Sequence, residues 1–310
     1  MTALRREQVR IRVPATSANL GPAFDSAGLA LTCQDVLDFT VTAGGLEVVM
    51  TGEGADALPR DETHLVVRAF RAACAELGWS PPGLRVVAVN AIPQGRGMGS
   101  SAAAVVAGVV GAWALCPDVD AVDIDAVLRL ATEIEGHPDN VAACLLGGAT
   151  LSWMAVDGAR AERLEVDSDI APILLVPTAT LATHVARGLL PEVVPHGDAA
   201  ANAARAALLV HALTAAPHRL FEATEDRLHQ RQRAAAMPQS LELMDRLRAA
   251  GFAAVVSGAG PSLLVLARRS AGDRAAEVAA AAGPDWTVRS LEVDESGASV
   301  LVEEPPVSSR

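Results

Sequence analysis

The stretch that decides the predicted fold is Pro93-Gln94-Gly95-Arg96-Gly97-Met98-Gly99-Ser100-Ser101-Ala102-Ala103. An apolar run rich in β-branched residues precedes it and an Ala/Val-rich run follows, which predicts a strand, a glycine loop and a helix. Alternating glycines permit a left-handed backbone and close approach to a ligand. Ser100 and Ser101 fall where a helix N-cap is expected, and the free N–H groups of a helix start favour an anion. The alternative is a tight turn whose glycines serve packing alone.

The composition indicates a globular protein of 310 residues with one large domain or two ordinary ones. The chain is 51% hydrophobic but only 3% aromatic, so its core must be built from Ala, Val and Leu. A net charge of −12 disfavours nonspecific binding to nucleic acid or to an anionic membrane. Met1–Arg12 does not resemble a signal peptide, and the cysteines lack metal-binding spacing. These features predict a cytoplasmic protein with reduced cysteines, no membrane span and no thiolate metal cluster.

The absence of lysine narrows the possible chemistry. All 25 basic residues are arginine. Compositional bias explains this absence of lysine, but the absence still excludes any chemistry that requires a lysine side chain. A Walker-type phosphate loop and the protein-kinase ATP site each need a lysine, and so does Schiff-base catalysis. A nucleotide triphosphate bound here would therefore be held by backbone N–H groups, by a metal and by arginine.

Two polar segments are candidates for site residues. Pro14–Leu31 is small and polar, with Asn19 and Asp25, and suits either a surface loop with Asx turns or a substrate wall. Glu133–Val141 concentrates two carboxylates, a histidine and an Asp-Asn pair, and suits either a helix end with a polar turn or a site. Glu133 with a serine of the glycine loop would offer the hard oxygen ligands that Mg²⁺ prefers.

Periodicity predicts the other elements. The expected strands are Val9–Val13, Asp38–Thr42, Leu46–Met50, Ala149–Val156 and Ile173–Pro177, followed by two strands around the Ser257–Ser262 turn and a last strand. The expected helices are 61–75, Asp123–Glu135, Asp198–Thr214, Leu220–Ala236, Ser240–Ala250 and Ala271–Ala282. The arginines of Leu220–Ala236 are either a solvated face or a carboxylate clamp. A domain boundary is expected around Glu165–Asp169, and Glu303–Arg310 is expected to be loose.

Several motifs in collinear order resemble one superfamily. Pro14–Leu31, Pro93–Ala104 and Ser257–Ser262 are similar to the GHMP kinases, and Gly136–Ala142, Thr183–Pro191 and Asp226–Pro238 resemble the homoserine kinases among them. The resemblance implies an α+β GHMP kinase fold with the active site between two domains. Residues 1–166 would form an ATP-binding domain like ribosomal protein S5 domain 2, and residues 167–310 a ferredoxin-like domain.

The resemblance also implies roles for individual residues. The backbone of Pro93–Ala103 would wrap the phosphates of ATP, and Ser101 (or Ser100) with Glu133 would hold Mg²⁺. Six residues would bind homoserine: Arg187 and Arg233 at its carboxylate, Asn19, Asp25 and His137 at its amino group and chain, and Thr183. Asp139 and Asn140 would lie near its hydroxyl, which takes the γ-phosphoryl group by direct in-line transfer. Asp139 is either a general base or a positioning group.

Two other functions remain open from the sequence. The same fold could phosphorylate a different alcohol such as mevalonate or a sugar, although Arg187 and Arg233 favour an amino acid. A regulator or structural module without catalysis would have no need of Glu133, Ser101 and Asp139 together. The departures from the family pattern are Ala23, Met98 and the run Gln230–Arg233. The expected reaction is that of an ATP:L-homoserine O-phosphotransferase of threonine biosynthesis, without nucleic-acid partners and with a homodimer left open.

Overall fold

A computed structural model describes residues 7–301 as two sheets with helices packed against them. The first sheet contains β1 (Gln8–Ala18), β2 (Ala27–Thr42), β3 (Gly45–Gly52), β4 (Gly83–Asn90), β5 (Ala149–Ala155), β6 (Gly158–Leu164) and β11 (Ser299–Leu301). Its strand order is β11-β1-β2-β4-β3, and β5 joins β2 and carries β6. Only the β3–β4 pair is parallel among these ladders. The helices of this half are α1 (Leu65–Glu76), α2 (Ser100–Leu115), α3 (Ile124–Glu135) and α4 (Asp139–Leu146).

The second sheet is wholly antiparallel and contains β7 (Ile170–Pro177), β8 (Ala254–Val256), β9 (Leu263–Arg268) and β10 (Trp286–Ser290). Its order, β10-β7-β9-β8, is the 4-1-3-2 order of a ferredoxin-like fold, as the resemblance implied. The helices of this half are α5 (Thr183–Gly188), α6 (His196–Thr214), α7 (Leu220–Ala223), α8 (Pro238–Ala249) and α9 (Ala275–Ala282), with a 3₁₀ helix over Arg231–Ala236.

Helix α2 lies in the centre of the first half because it is apolar on every side. Small residues let its neighbours approach closely. A Cβ atom on Gly108 would overlap the Val66 carbonyl oxygen of α1, and one on Gly111 would press on the Phe39 ring of β2. This packing fixes the start of α2, where the glycine loop ends.

The expected boundary between residues 166 and 167 falls in the link between β6 and β7. The C-terminal segment does not follow that division, because β11 pairs with β1 of the first sheet. The terminal residues Glu303–Arg310 lie outside the described part of the chain.

Three sequence-based predictions of elements differ from the structure. Strand β1 continues through Ala18 and β2 begins at Ala27, so only the middle of Pro14–Leu31 is a loop. Leu220–Ala236 is not one helix: the Asp226 carboxylate accepts the backbone N–H groups of residues 228, 229 and 230 and diverts the chain after α7. The helix predicted over 61–75 starts at Leu65 without a side-chain cap.

Asp35 of β2 holds the end of β4 immediately before the glycine loop. Its Oδ1 atom accepts hydrogen bonds from Ala91 N at 2.7 Å and from Ile92 N at 2.9 Å. Burial raises the pKa of Asp35 to about 6, and the charge of Glu53 also raises it. The two amide hydrogen bonds lower this pKa but do not cancel the effect of burial. The strand end is therefore fixed by a carboxylate that is costly to ionise.

The variant Asp35→Asn is expected to be more stable than the parent protein at pH 7.5. An acid whose folded pKa lies above its unfolded pKa loses stability as pH rises between them, here from 3.8 to about 6. Asparagine keeps an Oδ1 acceptor for both amides without the charge. The gain is at most about 3 kcal/mol and vanishes below pH 4. Urea unfolding across pH 4–8 measures this gain in the free energy of unfolding. Asp35→Ala serves as the control, because alanine offers no acceptor for the two amides. An Asp35→Asn variant that is less stable than the parent protein at pH 7.5 would contradict the prediction.

Candidate active site

A cleft of about 320 Å³ lies where the glycine loop meets the second domain. The loop is tied to that domain by its backbone, since Leu181 N donates to Gly95 O at 2.8 Å. Fifteen of the predicted site residues line the cleft: Asn19, Pro93, Gln94, Gly95, Gly97, Met98, Gly99, Ser100, Ser101, His137, Asp139, Asn140, Thr183, Arg187 and Arg233. The sequence motifs thus converge on one cavity although they are more than 200 residues apart.

The three glycines of the loop have the left-handed conformation that the sequence predicts. Gly95, Gly97 and Gly99 have φ values of 64°, 67° and 68°. The N-cap of α2 is Gly99 rather than a serine, so the predicted serine cap is wrong. Because the last loop residue has no side chain, no side-chain cap covers the first N–H groups of α2. Ser100 and Ser101 occupy the first turn and line the cleft.

Three of the predicted loop residues contribute nothing to the cleft wall. The Arg96 guanidinium turns to the second domain, where Nε donates to Pro177 O at 3.0 Å and Nη2 to Thr178 O at 3.1 Å. Ala102 and Ala103 are buried in α2. The side chains of these residues do not line the cleft, and Arg96 instead anchors the loop to the second domain. The predicted contact of the loop backbone with phosphate stays a prediction.

The carboxylate beside the loop serine is Glu135 and not Glu133. Ser101 Oγ donates to Glu135 Oε1 at 2.5 Å, and both residues line the cleft. Glu133 is exposed on α3 and lies outside the cleft wall. The helix face decides between them: Glu135 lies one turn after the buried Ala131 and Thr132, whereas Glu133 lies on the solvent side. The 3.6-residue period of this helix is visible in the sequence and distinguishes the two glutamates.

The Ser101–Glu135 pair fits a small hard cation. Its donors are a hydroxyl and a carboxylate oxygen, the ligand types that Mg²⁺ takes together with phosphate oxygens. Within residues 7–301 no group of three or more His, Cys, Asp or Glu side chains is arranged as a metal site. Burial raises the pKa of Glu135, so a nearby positive charge would favour its ionised form.

Helix α3 ends at Glu135, a short turn over residues 136–138 follows, and Asp139 and Asn140 begin α4. Asp139 is only 2% exposed, and its Oδ1 atom accepts Asn140 N at 2.7 Å. His137 Nδ1 lies 3.2 Å from the same oxygen. Burial lowers the pKa of His137, but the charges of Asp139 and Glu135 outweigh burial and raise it overall. Asn140 is held in turn by Thr16, whose hydroxyl donates to Asn140 Oδ1 at 2.8 Å.

The loop between β1 and β2 is conformationally strained where it carries predicted substrate ligands. Asn19, Leu20 and Asp25 have φ values of 70°, 47° and 54°, a region that side chains other than glycine rarely occupy. Asn19 Nδ2 donates to Gly258 O at 2.9 Å, and Asn19 Oδ1 accepts Asp25 N at 2.9 Å. The Asn19 amide therefore shapes the loop and ties it to the second domain.

Two arginines face this loop from the second domain. Arg187 pairs with Asp25 through Nη1 at 2.9 Å and Nη2 at 2.5 Å, and Asp25 itself stands behind the cleft wall. Arg233 is 1% exposed, and its Nη1 donates to Gly258 O at 3.2 Å, while Nε has no partner within residues 7–301. Both guanidiniums lie over the Phe24 ring, at 5.5 and 5.4 Å from its centroid. A buried guanidinium with an unsatisfied N–H at a cleft wall is suited to binding an anion.

Sequence reasoning did not identify several other lining residues. Apart from Glu135 they are Leu58, His64, Leu65, Ala104, Leu181, Ala182, Gly258 and Ala259. Ala104, Gly258 and Ala259 lie within motifs quoted from the sequence but were given no individual role. The others belong to the β3–α1 connection, the start of α1 and the β7–α5 connection, and they reach the cleft through tertiary packing. Among the described residues no helix is long and apolar enough to cross a membrane.

The fold and this cleft define a kinase of the GHMP class. Residues 64–148 match the GHMP kinases N terminal domain, and residues 201–285 match the GHMP kinases C terminal domain. A homoserine kinase of Streptomyces avermitilis is 55% identical over 96% of this chain and 97% of its own, and that of Streptomyces coelicolor is 56% identical over 96% of each. The crystal structure of homoserine kinase from Cytophaga hutchinsonii superposes with a TM-score of 0.83 at 24% identity, covering 97% of this chain and 99% of its own. The chain belongs to the homoserine kinase family.

Proposed function

We propose that the chain transfers the γ-phosphoryl group of ATP to the side-chain hydroxyl of L-homoserine in this cleft. The observation that carries the proposal is that the glycine loop lines one cavity together with Arg187 and Arg233, and that Arg187 is paired with Asp25 beside that cavity. Homoserine is a zwitterion with a hydroxyl two carbons beyond its α-carbon. A site for it needs cationic and anionic groups side by side, at a short distance from a phosphate loop.

The nucleotide is proposed to lie along the glycine loop. Backbone N–H groups of the loop and of the α2 start would hold the phosphates, which explains how a chain without lysine binds ATP. Ser101 and Glu135 would hold Mg²⁺, which neutralises phosphate charge when bound. The apolar wall of Leu58 and Leu65, with His64 between them in the chain, then remains for the purine base.

The acceptor is proposed to bind by exchanging partners with the Arg187–Asp25 ion pair. The homoserine carboxylate replaces Asp25 on Arg187 and also takes the free N–H groups of Arg233. The homoserine ammonium group then restores a cationic partner to Asp25. Such an exchange keeps every charge paired. Because the arginines are already partly buried, binding adds little to the free-energy cost of removing them from water.

The transfer step forms a bond between the homoserine hydroxyl oxygen and the γ-phosphorus. The bridging oxygen leaves with ADP, and the hydroxyl proton passes to Asp139 or to a phosphate oxygen. Asp139 Oδ1 is engaged by Asn140 N and lies near His137, so Asp139 is proposed to position these neighbours around the hydroxyl. Most of the rate acceleration comes from alignment and charge neutralisation, because phosphoryl transfer has a loose transition state.

A substrate panel tests the reaction. Purified protein with ATP and Mg²⁺ is assayed for ADP release with homoserine, threonine, serine, mevalonate, galactose and 4-hydroxybutanoate, which is homoserine without its amino group. Strong turnover with homoserine alone is expected. Equal turnover with 4-hydroxybutanoate would contradict the role of Asp25, and preference for mevalonate or galactose would contradict the acceptor assignment while leaving the kinase class intact.

Arg233→Met is expected to raise the KM for homoserine by about 10- to 100-fold with little change in the KM for ATP. A hydrogen bond to a charged group contributes about 1.5–3 kcal/mol, and methionine keeps much of the buried volume. Steady-state kinetics with each substrate varied separately measure the effect. Arg231→Met is the matched control, because Arg231 lies in the same 3₁₀ helix but is exposed and pairs with Asp245. An unchanged homoserine KM in Arg233→Met would refute the assignment.

A further inference from the structure

His229 is a buried histidine that the proposed reaction does not use. It lies in the segment between α7 and the 3₁₀ helix, and its side chain is fully buried. One ring nitrogen, Nε2, is 2.7 Å from Gly21 O in the loop between β1 and β2. The other, Nδ1, is 3.1 Å from Arg233 Nη1. The ring therefore joins the loop that carries Asn19 and Asp25 to the arginine on the opposite side of the cleft.

The chemistry of its two neighbours determines the tautomer of this ring. A backbone carbonyl can only accept a hydrogen bond, so the Gly21 oxygen requires a proton on Nε2. A guanidinium can only donate, so Arg233 requires a lone pair on Nδ1. Burial lowers the pKa of His229, and the Arg233 charge lowers it further, against Asp226 and Asp25, which raise it. A second proton would remove the acceptor and place a cation beside Arg233.

We propose that neutral His229, with its proton on Nε2, is a positioning residue that sets the orientation of Arg233 toward the substrate carboxylate. Both protein acceptors of Arg233, His229 Nδ1 and Gly258 O, are bonded to Nη1. This arrangement fixes one end of the guanidinium and leaves Nε without an acceptor among the described residues.

The aromatic ring beneath the arginines supports the same geometry. Phe24 is tilted against the His229 ring with centroids 5.1 Å apart, and the Arg233 guanidinium lies 5.4 Å from the Phe24 centroid. The Phe24 ring thus fixes the plane of the Arg233 guanidinium, and the hydrogen bond to His229 Nδ1 fixes its rotation within that plane. Without the acceptor at His229 Nδ1, Arg233 Nη1 would keep only its hydrogen bond to Gly258 O. The guanidinium could then rotate about the Cδ–Nε bond. The inference rests on the proposed role of Arg233 in binding the homoserine carboxylate.

Two amide substitutions separate the functions of the two ring nitrogens. In His229→Asn, the side-chain oxygen can take the place of Nδ1 and accept from Arg233, whereas the bond to Gly21 is lost. In His229→Gln, the side-chain nitrogen can take the place of Nε2 and donate to Gly21, whereas the acceptor at the Nδ1 position is lost. His229→Gln is expected to raise the homoserine KM by about tenfold or more and His229→Asn by about threefold, with the KM for ATP unchanged in both.

A purely structural role for His229 would give a different pattern. It would lower the melting temperature and affect both substrates together, so equal increases in the two KM values would overturn the proposal. The reverse order, with His229→Asn the more impaired variant, would overturn it too. If Arg233→Met leaves the homoserine KM unchanged, the proposed carboxylate site fails separately, whatever the His229 variants show.

The unmodified protein provides an independent readout if a variant does not fold. Long-range ¹H–¹⁵N correlation spectra of ¹⁵N-histidine-labelled protein distinguish a protonated ring nitrogen from one with a lone pair. The expected pattern for His229 is a protonated Nε2 and an unprotonated Nδ1 from pH 6 to 9. A proton on Nδ1 anywhere in that range would overturn the proposal.

Discussion

Replacing Glu135 with glutamine is expected to lower kcat by about 100-fold or more, whereas the same change at Glu133 should leave kcat within about twofold. Glutamine preserves the side-chain length and can still accept the Ser101 hydrogen bond, so the variant removes the charge alone. Groups that stabilise charge developing in a transition state contribute about 10²–10³ in kcat. Glu133 is on the same helix but faces solvent, which makes it a control for helix stability and net charge.

The dependence of the rate on Mg²⁺ concentration distinguishes a cation site from a general electrostatic effect. If Glu135 helps to hold Mg²⁺, Glu135→Gln should need a higher Mg²⁺ concentration for half-maximal rate than the parent protein, while Glu133→Gln should not. A large loss in Glu133→Gln together with a nearly intact Glu135→Gln would restore the assignment made from sequence alone. A loss of kcat in Glu135→Gln without any change in Mg²⁺ dependence would show that Glu135 does not act by holding Mg²⁺.

The parts of the fold that the sequence predicts well are those governed by local signals. Helix α3 starts where an aspartate N-cap precedes an apolar period of 3.6, and Asp123 does accept Ala126 N at 3.0 Å. Gly95, Gly97 and Gly99 of the loop have positive φ values, which glycine adopts without a steric cost. The two-domain architecture came from the resemblance of separated motifs, since no local pattern specifies a 4-1-3-2 strand order.

The parts that the sequence misjudged depend on contacts between distant segments. Residues 14–18 are small and polar and suggest a loop, yet they form the buried end of β1, paired with β2 and bonded to Asn140 and Ser257. Arg96 belongs to the predicted phosphate loop, but its guanidinium donates to the carbonyl oxygen of Pro177, 81 residues away in the chain. For Arg233 the residue pattern left a solvated face and a carboxylate clamp open, and the structure buries this arginine.

The glycine loop and the second glycine-rich turn form one interdomain contact. Ser257 Oγ donates to Gly97 O at 2.6 Å and lies 2.9 Å from Ser17 Oγ, so that three motifs meet at a single hydroxyl. Gly258 N donates to Ala18 O in the same region at 3.1 Å. The phosphate loop is therefore shaped by the second domain as well as by the strand and helix on either side of it.

This contact predicts that Gly97→Ala is a strongly damaging substitution. A Cβ atom on Gly97 would overlap the Ser257 carbonyl oxygen and come within 3.0 Å of Gly260 N, and the residue has φ of 67°. The left-handed conformation costs about 1–2 kcal/mol for alanine. Overpacking against a backbone that cannot move aside adds about 1–3 kcal/mol. We therefore expect a lower melting temperature and, because relief of the overlap displaces the phosphate loop, near-complete loss of activity.

Gly95→Ala separates backbone strain from the interdomain overlap. Gly95 has nearly the same φ, 64°, but the nearest atom to its Cβ position is Thr180 Cβ at 3.4 Å, an ordinary contact distance. Both variants pay the conformational cost, and only Gly97→Ala pushes the two domains apart. Thermal unfolding monitored by circular dichroism should therefore place Gly95→Ala between the parent protein and Gly97→Ala. Equal melting temperatures for the two variants would mean that φ alone accounts for the loss, and that the Ser257 turn yields to the added methyl group without displacing the loop.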